Sequence, residues 1–168
     1  FVELIIDDEY MGVYVLMDKI TNNEKRVNIT AADGFILKFD KTDVTDRFED
    51  ENSEKRNTFT TEKTGKSGIG SYGATFDQRF EIEYPEMEDA DSEEKWVEFV
   101  NDNVKGKIEA FEKALEAGNY TEVRKLIDYE SWADWFIISE FAKNVDAYRA
   151  SCFFVYDGGK IEARPLWD

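Results

Sequence analysis

The chain has 168 residues, 42% of them hydrophobic and 15% aromatic, which suits one globular domain with its own core and excludes a disordered segment. A formal net charge of −17 repels phosphate backbones and anionic lipid headgroups, so nucleic acid and membrane surfaces are excluded as expected partners. With no histidine and a single cysteine, histidine-based zinc sites, Ser–His–Asp triads, Cys–His pairs and internal disulfides are excluded within this chain.

The elements follow in chain order. Val2, Leu4 and Ile6 open a strand, Asp7-Asp8-Glu9 turns it, and a second strand is predicted from Gly12 to Ile20. The chain begins in mid-strand, so a fragment of a larger domain is expected, lacking the first strands and the region after Asp168. A short strand, Phe35 to Phe39, follows the Asp33-Gly34 turn. Residues 41–72 are rich in Thr, Asp, Glu, Lys, Gly and Ser, which predicts a long flexible insertion. Its Gly68-Ile69-Gly70-Ser71-Tyr72-Gly73 matches a G-x-G-x-x-G pattern, but no helix opens after it, so it reads as loop. Arg79 to Tyr84 is a strand ended by Pro85.

Helices dominate the second half. Asp91 and Ser92 are cap candidates for an amphipathic helix over 92–117 that carries Trp96, Val104, Ile108 and Phe111 and stops at Gly118. A short helix spans Thr121 to Ile127. Asp128 then caps a helix over 130–143, so apolar that burial on most sides is expected. A loop from Val145 to Ser151 leads to a hairpin, Cys152 to Tyr156 and Ile161 to Ala163, around Asp157-Gly158-Gly159-Lys160. Cys152 sits in an apolar run and reads as a buried spectator. The predicted class is α+β, one domain.

One constellation carries chemistry. A helix delivers a loop with Asp146 and Ser151, a hairpin follows, and Asp168 stands beyond its far end. Protein kinases order their parts this way: a catalytic-loop Asp at the acceptor hydroxyl, a polar metal ligand after it, and a metal-binding Asp past a hairpin. Phosphoryl transfer is mostly positioning and charge neutralisation, so oxygen ligands on a rigid platform suffice. In so acidic a chain a polyphosphate needs metal ions to screen it, and carboxylates recruit them. The spacing equally fits a loop residue and a solvated tail.

Three motifs resemble one family. The run Glu3-Leu4-Ile5-Ile6-Asp7-Asp8-Glu9-Tyr10-Met11-Gly12-Val13-Tyr14-Val15-Leu16-Met17-Asp18-Lys19-Ile20 is similar to the "ELxxNGEYxGVYxLxEKI" hallmark of the CotH family, named for a spore coat protein. Glu140-Phe141-Ala142-Lys143-Asn144-Val145-Asp146-Ala147-Tyr148-Arg149-Ala150-Ser151 resembles its "ELxxNxDAxxxS" segment. Arg164-Pro165-Leu166-Trp167-Asp168 is similar to its "GPLWDFD" motif, and Tyr84-Pro85 matches a recurrent pair. The resemblance implies a divergent protein-kinase-like fold: N-terminal antiparallel strands, then a helical lobe carrying a catalytic loop and β-hairpin. It also implies ATP with Mg²⁺ or Mn²⁺, a protein substrate, and a spore-coat, secreted or cell-surface setting.

Carried over, Asp146 is the catalytic Asp, Asp168 the principal metal ligand and Ser151 a second ligand. Asn144 shapes the loop, and Arg149 faces the transferred phosphate. Asp18 and Lys19, expected at a strand end, stand where kinases contact adenine through the backbone; a surface ion pair is the alternative. Asp7-Asp8 replaces Asn-Gly at the hairpin turn and Arg164 replaces Gly before Pro165. Some CotH proteins are surface adhesins, so a non-catalytic binding module is the rival expectation.

Overall fold

The computed structural model of the chain describes residues 1–42, 57–63, 68–69 and 75–167. It is a mixed α+β structure of antiparallel strands and helices. Strands β1 (Val2–Ile6) and β2 (Glu9–Tyr14) form a two-stranded hairpin. Both turn residues take positive φ, Asp7 at 50° and Asp8 at 64°. That is the backbone of a type I′ turn, which tolerates Asp although Asn-Gly is the preferred pair.

The second strand ends earlier than the alternation predicts. The register pairs Val2 with Tyr14, so the chain after Tyr14 runs past the last rung of β1. Residues 15–20 therefore lie outside any strand, and Asp18 and Lys19 do not end one. Ile20 instead packs onto the main sheet.

That sheet has six strands: β3 (Phe35–Thr42), β4 (Thr58–Phe59), β5 (Gly68–Ile69), β6 (Thr75–Tyr84), β7 (Cys152–Tyr156) and β8 (Ile161–Glu162). The order is β4-β6-β3-β7-β8, with β5 also on β6. Within the stretch expected to be an insertion, residues 57–63 are anchored. Phe59 stacks on Phe80 with ring centroids 5.2 Å apart, and the buried Thr61 donates its hydroxyl to Glu112 at 2.8 Å. Composition hid this, because one phenylalanine in a polar run is enough to pin a short edge strand. Residues 43–56, 64–67 and 70–74 lie outside the described residues.

Helix α1 (Glu93–Glu98) starts at Ser92, whose side chain accepts from the Lys95 amide. It continues through a π-helical stretch (Phe99–Lys105) into α2 (Gly106–Glu116), and Gly118 follows in the left-handed conformation. Then come α3 (Tyr120–Leu126) and α4 (Tyr129–Ala142), the latter capped by Asp128 accepting from Ser131 at 2.9 Å. The main core gathers Phe35, Leu37, Trp96, Val104, Ile108 and Phe154, with Trp132 against it. A second cluster on the other sheet face holds Val27, Ile29, Ile36, Phe153 and Val155.

The expectation that α4 is buried on most sides does not hold among the described residues. Trp132 and Trp135 pack on the core, while Phe136, Ile137 and Phe141 are exposed. One side of the helix meets the sheet, and much of its other side is exposed. No helix among the described residues is long and apolar enough to cross a membrane.

One polar and one steric feature set the loop before β3. The Asp157 carboxylate accepts from the amides of Thr30 at 2.8 Å and Ala31 at 2.6 Å, tying the β7–β8 turn to this loop. Those amides of Ala31 and Thr30 hold the Asp157 carboxyl below its ordinary value. A Cβ on Gly34 would lie 2.3 Å from Ile29 Cγ2 and 3.0 Å from the Ala31 carbonyl oxygen, so only glycine fits.

Gly34→Ala therefore lowers stability by about 1–3 kcal/mol, the usual cost of overpacking, read as a lower urea midpoint. A mutant that keeps the wild-type midpoint would contradict this packing. For Asp157 the sign follows from its lowered folded pKa. Its contribution is present above the unfolded carboxylate value of 3.8 and is lost as pH falls through the folded one. The stability gap between wild type and Asp157→Ala is thus widest near neutral pH and narrows below that value; a gap that grows on acidification contradicts the assignment.

Candidate active site

The loop between α4 and β7 begins with a left-handed cap. Lys143 takes φ 52°, its amide reaches the Glu140 carbonyl at 3.2 Å, and the Asn144 amide reaches the Ser139 carbonyl at 3.0 Å. This pair of bonds is a Schellman motif, here with lysine in the position glycine usually takes. Asn144 then caps the next turn: its Oδ1 accepts from the amides of Asp146 at 3.0 Å and Ala147 at 3.1 Å. The Asp146 carbonyl accepts in turn from the amides of Arg149 and Ala150. Ala147 and Ala150 are buried, which seats the turn on the domain.

Both ends of this arrangement are fixed. At its start, α4 is tied to β8, since Trp132 Nε1 donates to the Ile161 carbonyl at 2.9 Å and Ser131 Oγ accepts from the Ala163 amide at 3.1 Å. At its exit, Cys152 pairs with Phe39 of β3. Burial pushes the Cys152 thiol up, and its Sγ donates to the Ala150 carbonyl at 3.0 Å, so it is the buried spectator the sequence predicts.

A cavity of about 550 Å³ opens against this loop. Asn144, Asp146 and Ser151 all line it, together with Trp135, Leu166 and Trp167. Among its described lining residues only Lys143 and Asp146 carry charge. The described part of the wall thus carries one cation and one anion. Asp146 Oδ1 accepts from Arg149 Nη2 at 3.0 Å, and both side chains remain partly exposed.

Of the residues singled out from the sequence, the structure brings Asn144, Asp146 and Ser151 to one cavity and sets Arg149 on the Asp146 carboxylate. Asp18 and Lys19 do not line it. Asp18 pairs instead with Arg26 at 2.9 Å, both side chains well exposed, a surface ion pair of the kind worth little. Asp168 lies outside the described residues; Trp167 before it lies on the cavity wall and packs edge-on against Phe153. Sequence reasoning did not find Trp135 or Trp167 as wall residues. Trp167 carried a signal, its place beside Asp168; Trp135 carried none, since it reads as one more apolar helix residue. Among the described residues, no group of three or more His, Cys, Asp and Glu is placed to hold a metal ion.

Asn144→Ala removes the acceptor for two loop amides and costs about 0.5–2 kcal/mol, as loss of a helix cap does. Faster amide exchange at Asp146 and Ala147 is the expected result. Wild-type exchange at both would show that Asn144 does not hold the loop.

A family model described as CotH kinase protein matches residues 1–168. No curated protein and no solved structure matches the chain significantly.

Proposed function

Because the chain belongs to the CotH kinase family, we propose that it is a kinase-like domain transferring the γ-phosphate of ATP to a Ser, Thr or Tyr hydroxyl of another protein. The observation that carries this reading is the meeting of Asn144, Asp146 and Ser151 at one cavity, on a loop held at both ends. In it, Asp146 orients the acceptor hydroxyl and takes its proton, the part a positioned carboxylate plays in general-base catalysis. Arg149, at 3.0 Å from that carboxylate and beside the wall rather than on it, is the cation proposed to meet the transferred phosphate. Asn144 keeps the loop in shape through the amides of Asp146 and Ala147.

Ser151 and Asp168 are the proposed ligands of Mg²⁺ or Mn²⁺. The donor chemistry fits: Asp146 and Ser151 present hard oxygen ligands, with no histidine in the chain and only the buried, bonded Cys152 thiol nearby. Mg²⁺ is normally held by one or two carboxylates together with substrate phosphates, so a dense carboxylate cage is not required. Bound there, the metal would supply charge neutralisation to the phosphates. The Lys143 ammonium on the described wall would add to the metal and Arg149 in screening the phosphates. The proposed setting is a cell surface or spore coat, as the resemblance implies. Asp18 and Lys19 are given no part in this cavity.

In the purified protein, Asp168→Ala abolishes Mn²⁺-dependent ATP binding. Asp146→Ala leaves that binding intact and lowers phosphoryl transfer by about 10²–10⁴-fold, the usual cost of losing a general base. Calorimetry and transfer of labelled phosphate to a protein acceptor read the two effects. Wild-type transfer in both variants overturns the roles given to Asp146 and Asp168, whereas no transfer by the wild type overturns the kinase reading and leaves a binding module in its place.

A further inference from the structure

Tyr148 stands in the loop between Asp146 and Ser151, yet it does not line the cavity. Its backbone takes φ 75°, a left-handed conformation that is costly for an aromatic residue and persists only where surroundings hold it. Ser151 is also left-handed, at φ 52°. With Lys143, the loop is thus bent at three non-glycine residues within a few positions of Asp146.

The Tyr148 side chain adds a restraint to a bend that the Asp146 carbonyl already closes through the Arg149 and Ala150 amides. The hydroxyl donates to Glu140 Oε1 of α4 at 2.8 Å. The ring sits edge-on to Trp135, centroids 5.0 Å apart at 82°, and tilts against Phe136 at 6.2 Å. Trp135 is itself a wall residue of the cavity. One side chain therefore ties the loop to a helix carboxylate and to the cavity wall together. Burial and the neighbouring Glu140 push the Tyr148 hydroxyl above its ordinary value, and a phenol is in any case a donor at neutral pH.

We propose that Tyr148, with Glu140, is a positioning clamp that holds Asp146 and Ser151 at the cavity in one geometry. Its catalytic consequence rests on the phosphotransfer reading; the clamp itself does not. Asn144 fixes the start of the loop and the Phe39–Cys152 pairing fixes its end, while the Tyr148–Glu140 bond restrains the span between them.

The test uses the purified protein with Mn²⁺, ATP and a protein acceptor. Tyr148→Phe keeps the ring and removes the donor; Glu140→Ala removes the acceptor; Glu140→Gln keeps an oxygen that accepts. Tyr148→Phe and Glu140→Ala should each lower kcat about two- to tenfold, the range for one lost hydrogen bond, with KM for ATP unchanged. The double variant should fall no further than either single, and Glu140→Gln should stay near wild type. Independently of transfer, amide exchange at Ala147, Arg149 and Ala150 should quicken in Tyr148→Phe and Glu140→Ala but not in Glu140→Gln. If the exchange pattern appears in a protein that transfers no phosphate, the clamp stands and the phosphotransfer reading falls. If the wild type transfers phosphate while Tyr148→Phe matches it in kcat and exchange, the clamp falls and the reading stands. Additive effects of the two substitutions also overturn it.

Discussion

Strand β3 is hydrogen-bonded along both edges, to β6 on one side and β7 on the other, and Phe35, Ile36 and Leu37 within it are fully buried. Its alternate side chains feed both clusters, Phe35 and Leu37 the helix side, Ile36 the opposite face. Everything that positions the cavity leans on this strand. β7 takes its place from β3, the loop that carries Asp146 and Ser151 must end where β7 begins, and α4 is tied back through β8. A strand buried on both faces cannot slip by one residue without driving Lys38 or Asp40 into a core, so the register is strongly held.

Much of this was readable in the residues, for reasons that differ from element to element. Ser92 and Asp128 announced their helices because a short oxygen side chain before an apolar period has few better uses than an N-cap. The β7–β8 hairpin was equally plain, since an apolar run and a short return segment flank an Asp-Gly-Gly-Lys turn. The end of β2 was not, because apolar alternation continues past Tyr14 although no facing strand does; partner length is not a property of the strand itself. Nor was the anchoring of 57–63, which hangs on Phe59 and Thr61 finding Phe80 and Glu112 across the fold.

The site divides the same way. Asp146 and Ser151 could be named from the order of helix, loop and hairpin, and the short hairpin explains why the loop stays beside it. The pairing of Arg149 with Asp146 sits in a loop with left-handed backbone at Lys143 and Tyr148, and neither residue type advertises that conformation. Lysine at a helix C′ position is a poor signal for a Schellman motif, and only the bonds from Asn144 and Lys143 back to Ser139 and Glu140 reveal it. Asp7-Asp8 teaches the converse: a turn can keep its geometry with a less favourable pair when a two-residue connection leaves no other choice.

Four tryptophans serve this chain, and their distribution has an optical consequence. Trp96 is sealed in the core and Trp132 is stacked on Phe154, so their indoles report the integrity of the fold. Trp135 and Trp167 stand on the cavity wall instead, one from the helix and one from the far end of the chain. Any molecule that enters displaces water from two indole rings and changes their emission. The cavity carries its own fluorophores, and the protein needs no label to register what it holds.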